Sequence, residues 1–280
     1  MISHLAEFTF LRHTLYTSLL IGFIGPMLGT FLVVRRLSLL ADALSHVTLA
    51  GIAFGLFVEK RFSLTLLSPI QNGVVFSVIG SIFIEKLRSI YKGFQELGIP
   101  IILSGGVGLS VIFIALANGF NTDLFNYLFG SISAVGKDDF LTILLITLSV
   151  TVVIFFFYKE LLTLSFDEEH ATMIGLHTKR IHFLFMILIA FVIAASIRIV
   201  GVLLVTALMT LPVATAMRIA KSFKQLIWLS ISFGELAVVT GLISSYYLSI
   251  PPGGTIVMVA ICLLLTTIII NKLPRKEFQS

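Results

Sequence analysis

Asp42 and His46 stand four residues apart within the run 40–51. On a helix that spacing puts a carboxylate and an imidazole on one face, about 6 Å apart along the axis. Their surroundings are mostly apolar. An Asp at the centre of a membrane span costs roughly 2.5–3.5 kcal/mol on insertion scales, so ionisable groups kept there point to a function. Carboxylate plus imidazole is ligand chemistry for a divalent transition metal. Read alone, the pair serves equally well as a helix-capping Asp beside an interfacial His. Ser45 offers a further oxygen, and Asp42, Ser45, His46 and Leu49 share one helical face. Glu235, inside a later apolar run, is a second candidate for handling a cation; a structurally bonded Glu is the competing reading.

A second cluster lies at 164–177, where Asp167, Glu168 and Glu169 precede Ala171 and Gly175. Acidic residues at the start and a glycine at the end describe a short capped helix. His170 and His177 with three carboxylates could bind metal, but a charge-rich connection is more simply a solvated face or a docking helix. The remaining polar groups in apolar runs are Gln71, Asn72, Asn118 and Arg198. Gln71 and Asn72 read as hydrogen bonds between helices, and Arg198 as a side chain that snorkels to the surface.

The elements that hold these residues follow from composition. Of 280 residues, 58% are hydrophobic and 12% charged, against about half and a quarter in soluble domains. The chain therefore reads as one transmembrane domain, 1–280, with no soluble domain between spans. Its fold class is all-α, a polytopic bundle of eight to nine spans. Nine stretches approach the roughly 20 apolar residues a span requires: 14–34, 39–58, 63–84, 98–118, 138–158, 180–197, 199–217, 226–248 and 253–271. Barrel strands would be about 10 residues long with alternating polarity, and no such pattern is present. The net charge of +5 needs no nucleic acid, because Lys and Arg beside an anionic leaflet account for it. Of the 19 Lys and Arg, 14 fall on one set of connections, including Arg35 and Arg36, Lys86, Arg88 and Lys92, and Lys272, Arg275 and Lys276. That set is assigned to the cytoplasm, with the N-terminus outside and the C-terminus inside. The lone Cys262 lies in an apolar run and reads as buried packing.

Other motifs narrow the function. Small residues and Pro26 interrupt the first span, Pro212 lies inside the seventh, and Pro251-Pro252-Gly253-Gly254 marks a tight break before the last. There is no Gly-x-x-x-x-Gly-Lys-Ser/Thr loop to hydrolyse ATP, and no His-Glu-x-x-His or Gly-x-Ser-x-Gly motif to support a membrane hydrolase.

Taken together, four segments resemble the permease subunits of bacterial metal-ion ABC importers for zinc, manganese or iron. They are 25–55, with Gly25-Pro26, Arg35-Arg36 and Asp42-Ala-Leu-Ser-His46; 123–130, with Tyr127-Leu-Phe-Gly130; 167–175; and 201–216, with Gly201 and Pro212. The resemblance runs nearly the length of the chain. It implies a homodimeric permease of the type shared with vitamin B12 and iron-siderophore importers, in the bacterial cell membrane. It also implies a separate cytoplasmic ATPase docking around Asp167, Glu168, Ala171 and Gly175, an extracytoplasmic metal-binding protein, and Asp42 and His46 on the metal path. Many relatives carry Asp where this chain has Ser131, and an Asp before the Pro-x-Gly turn where it has Ser249-Ile250, so roles of those acids do not transfer.

The expectation is therefore a transporter subunit, not an enzyme, with no bound cofactor. It moves Zn²⁺, the wording of 45–55 being similar to zinc-uptake members, with Mn²⁺ or Fe²⁺ as the alternative. A gradient-driven secondary cation transporter is the rival class, and a membrane enzyme using Asp42 and His46 as an acid–base pair is a third.

Overall fold

A computed structural model describes residues 9–63, 67–91, 93–117, 119, 122–131 and 135–272. Lys92, Asn118, Arg275 and Lys276 lie outside the described residues. Twelve α-helices follow in order: α1 (Thr9–Val34), α2 (Ser38–Phe62), α3 (Pro69–Ile90), α4 (Gly98–Leu116), α5 (Thr122–Phe129), α6 (Lys137–Phe156), α7 (Tyr158–Phe166), α8 (Glu168–Met173), α9 (Thr178–Val200), α10 (Val205–Ala216), α11 (Phe223–Leu248) and α12 (Pro252–Lys272). A 3₁₀ turn, Gln95–Leu97, leads into α4.

Each of the nine stretches read as spans falls on a helix. Seven helices are long and apolar enough to cross a membrane: α1, α2, α4, α6, α9, α11 and α12. The other two depart from expectation. The third begins at Pro69, because Ser68 and Gln71 close a capping box there: Ser68 Oγ accepts from the Gln71 amide (3.3 Å) and Gln71 Oε1 from the Ser68 amide (2.9 Å). Asn72 Nδ2 likewise turns back to the Leu67 and Ser68 carbonyls. Both amides thus cap α3 and do not bridge helices. The stretch 199–217 holds only α10, whose 12 residues rise about 18 Å, short of a hydrocarbon core of about 30 Å.

Gly201 explains that shortness. It ends α9 with φ 83°, and a Cβ there would stand 2.3 Å from the Leu128 carbonyl oxygen. The chain reverses inside the molecule, and its exposed amides find protein acceptors: Val202 N donates to Tyr127 O (2.9 Å) and Leu203 N to Leu128 O (3.4 Å). These are carbonyls at the C-terminal end of α5, which a helix leaves unpaired. Irregular backbone at membrane depth is tolerated only when satisfied in this way.

The core forms around α1 and α9. Ile24, Leu28, Phe31, Phe185, Ile189 and Val192 have at most 1% exposure. α1 packs on α6, α9, α10 and α11, while α2 packs between α3 and α4. Only 17% of the most apolar window of α4 and 22% of that of α6 are buried, as expected of helices turned outward. Cys262 is likewise exposed on α12 and not buried; in a chain that crosses lipid, an apolar run need not face inward. Arg198 does not snorkel but pairs with Asp139 at the start of α6. Helix alternation leaves two poles. One holds the α1–α2 turn, α7–α8 and the end of α12, where Asn271 Nδ2 donates to Arg218 O (3.1 Å). The other holds α5, the 201–204 turn and the Arg198–Asp139 pair.

Gly201→Ala is expected to cost more than about 1 kcal/mol, since a side chain is strained at positive φ and meets the Leu128 carbonyl here. Thermal unfolding of the detergent-solubilised protein checks this, with a lowered midpoint as the expected result.

Candidate metal site

α2 begins directly after a three-residue turn and is clamped on both sides. On the α4 side, a Cβ at Gly106 would stand 2.9 Å from the Val47 nitrogen and 3.1 Å from the His46 carbonyl carbon. The Ser110 hydroxyl, one turn on, lies within hydrogen-bond reach of Gly106 O (2.7 Å) and His46 O (3.1 Å). On the α3 side, a Cβ at Gly51 would meet the Asn72 carbonyl oxygen at 2.6 Å. Small residues thus bring backbone against backbone, which fixes the rotation of α2 about its axis.

That rotation leaves one narrow stripe open. Leu39 is 58% exposed, the Asp42 side chain 39% and the His46 side chain 21%. Ser45 and Leu49 are buried. The Ser45 hydroxyl donates to the Asp42 carbonyl (2.8 Å), and the residue is fully buried, off the open stripe. His46 Nε2 and Asp42 Oδ1 are 4.0 Å apart, beyond hydrogen-bond range. A tetrahedral ion with ligand distances near 2.1 Å needs donors about 3.4 Å apart. The observed 4.0 Å is about 0.6 Å wider than that. Among the described residues no group of three or more His, Cys, Asp or Glu could hold a metal.

Glu235 is placed elsewhere. It lies on α11 against Gly22 of α1, where a Cβ would meet its Cδ and Oε2 at 3.3 Å, and its Oε2 is buried without a hydrogen-bond partner.

The capped helix read at 167–175 is present as α8. Asp167 Oδ1 accepts from the His170 amide (2.8 Å), and Gly175 adopts φ 85° just past the end. Ala171 is fully buried and fastens α8 to the bundle, while Phe166, Met173 and Ile174 are 68%, 78% and 57% exposed. With Glu168 and Glu169 also exposed, α8 presents apolar and acidic side chains outward. A cleft of about 400 Å³ beside it is lined by Glu160, Gly175, His177 and Arg180 among others. Sequence reasoning passed over Gly106 and Ser110; the small-residue run 104–110 was the available signal.

The chain is similar to known proteins along nearly its whole length. The model of the ABC 3 transport family matches residues 7–271. A manganese import system permease protein of Streptococcus parasanguinis is 34% identical over 278 residues, 99% of this chain and 96% of its own. A high-affinity zinc uptake system membrane protein of Haemophilus influenzae is 30% identical over 251 residues, 90% of this chain and 94% of its own. Among solved structures, PsaBC from Streptococcus pneumoniae in complex with Fab aligns at a TM-score of 0.82 and 32% identity, covering 95% of this chain and 93% of that one.

Replacing Asp167 with Ala is expected to destabilise α8 by about 1 kcal/mol, the usual worth of such a cap, or about fivefold in local opening. Hydrogen exchange at the His170 amide reads this directly.

Proposed function

The chain belongs to the ABC 3 transport family, and on that premise we propose that Asp42 and His46 form a transit site for a divalent transition metal. The protein is a multi-pass permease of a metal importer and not an enzyme. The carrying observation is that within residues 40–53 of α2 these two donors alone are partly exposed while the others are buried. Family membership makes ATP the energy source and sets aside the gradient-driven rival.

For the metal, carboxylate plus imidazole suits Zn²⁺ and Mn²⁺ alike. The wording of 45–55 leans toward zinc, but relatives named for manganese match as well as the one named for zinc. The proposal is therefore a cation of this class, with zinc and manganese on equal footing. Two donors hold an ion loosely, which suits transport: a closed four-ligand set would not release it. A second copy of the chain, its own stripe opposed to this one, would supply the remaining donors. Glu235 faces α1 and is left outside the site.

The partners follow from the same reading. A separate ATPase docks on the exposed face of α8 at Asp167, Glu168 and Gly175, while Ala171, expected on that surface, is buried and instead fastens the helix beneath it. Docking there puts that pole and the C-terminus in the cytoplasm, in line with the excess of Lys and Arg there. A metal-binding protein delivers the ion at the opposite pole. Closure of the ATPases moves α8 and switches which side of the path is open.

In cells lacking their own importer, His46→Ala and Asp42→Ala are each expected to lower radiolabelled zinc or manganese uptake by at least about tenfold, a loss seen even for outer-shell partners of a metal, at unchanged membrane abundance. Wild-type uptake by both would refute the site. Ligation needs a deprotonated imidazole, so uptake should fall as the medium is acidified. Met173→Arg, on the exposed face of α8, is expected to abolish co-purification of the ATPase while the permease itself still reaches the membrane.

A further inference from the structure

The α1–α2 turn carries a cation with an unfinished set of contacts. Arg35 Nη1 is shut from solvent and has no hydrogen-bond partner. Its guanidinium lies 5.3 Å from the centroid of the buried Phe185 ring on α9, a cation–π contact. Phe185 meets Phe31 (6.4 Å), Phe31 meets Phe223 (5.2 Å), and Phe223 meets Phe166 (5.8 Å), the residue just before Asp167. An aromatic path therefore runs from Arg35 to the root of α8.

Two carboxylates on different elements act on Arg35. Glu168 opens α8, and Glu85 lies near the end of α3. Burial lowers the Arg35 pKa to about 10, with Glu168 and then Glu85 opposing that shift and Arg88 adding to it; the group stays cationic at neutral pH. Neither carboxylate is within 4.0 Å of it among the described residues, and Glu85 leans toward Arg88 (4.0 Å). A cleft of about 470 Å³, lined by Val34, Arg35, Arg36, Phe166 and Glu168 among others, separates the turn from the root of α8. Arg35 as a whole is part-buried, but its shut-off Nη1 lacks an acceptor, a cost that an ion pair would relieve.

We propose that Arg35 is a positioning residue that couples α8 to the metal pair: it rests on Phe185 in this conformation and pairs with Glu168 when a docked ATPase drives α8 across the cleft. The turn is built to pass that shift on. Arg36 N donates to Val33 O, Leu37 N to Leu32 O and Leu40 N to Leu37 O, all at 2.9 Å, and Arg36 is held at φ 57°. A three-residue connection so bonded transmits displacement into α2, where Asp42 and His46 lie in the first turns. This inference rests on the reading of α8 as the docking element.

The test uses the whole complex, permease with ATPase and metal-binding protein, in proteoliposomes supplied with zinc or manganese. Three quantities are read: ATPase retained, ATP hydrolysed, and metal moved per ATP. Arg35→Met keeps the stem on Phe185 and removes the charge. It is expected to retain the ATPase and its hydrolysis within about twofold while metal per ATP falls about tenfold, the scale of an ordinary coupling free energy. Glu168→Gln, at an exposed position that folding tolerates, should lower metal per ATP by the same factor whatever it does to docking, which the retained ATPase reads separately, and the double variant should be no worse in metal per ATP than either single. Metal per ATP at the wild-type value in either single variant, or losses that multiply in the double, would overturn the proposal. The docking reading fails separately, and takes the proposal with it, if the Met173→Arg variant still binds the ATPase.

Discussion

Where Gly106 of α4 lies against His46 and Val47 of α2, backbone meets backbone, and the metal pair depends on that approach. Lipid tails are as apolar as leucine, so no hydrophobic drive presses one membrane helix onto another; close packing and hydrogen bonds must do so. Gly106, Ser110 and Gly51 supply both around α2. Rolling of the helix between α3 and α4 is opposed, and within residues 40–53 only Asp42 and His46 remain partly open. A side chain at Gly106 would push α4 outward and turn the stripe along with it, although it touches neither donor.

The helices were legible because a bilayer demands long apolar runs, and α8 because Asp167 and Gly175 mark its ends with residues suited to capping and to positive φ. The shared face of Asp42 and His46 was legible too, but not the place of their neighbour: Ser45 lies on the amphipathic arc with them, yet the open stripe is narrower than that arc and Ser45 is buried, its hydroxyl bonded back to Asp42. Long-range partners left no local trace. The acceptor for Arg198 is Asp139, 59 residues away, and the amides of 202–203 pair with carbonyls at 127–128. The short α10 was misjudged for the same reason. A run of apolar residues counts length but not the point at which the chain reverses.

Asp42 and His46 also bear on why transport and tight binding oppose one another here. With 4.0 Å between donors, neither is committed to the other and both can turn to an ion. With only two of them on one chain, the ion keeps part of its hydration or borrows ligands from an opposing surface. The donors' chemistry does not separate Zn²⁺ from Mn²⁺. Selection between them must come from coordination number and spacing, which a two-donor half-site leaves open.

The bonds that satisfy the 201–204 turn have a mechanical side. Val202 and Leu203 on the α5 carbonyls, Ser131 N on Arg198 O (3.1 Å), and Arg198 on Asp139 bind α5, α6, α9 and the root of α10 at one end of the bundle. At the other end, the α1–α2 turn faces α8 across a cleft. One end of the bundle is thus tied across four elements, and opening it would break several hydrogen bonds and an ion pair at once.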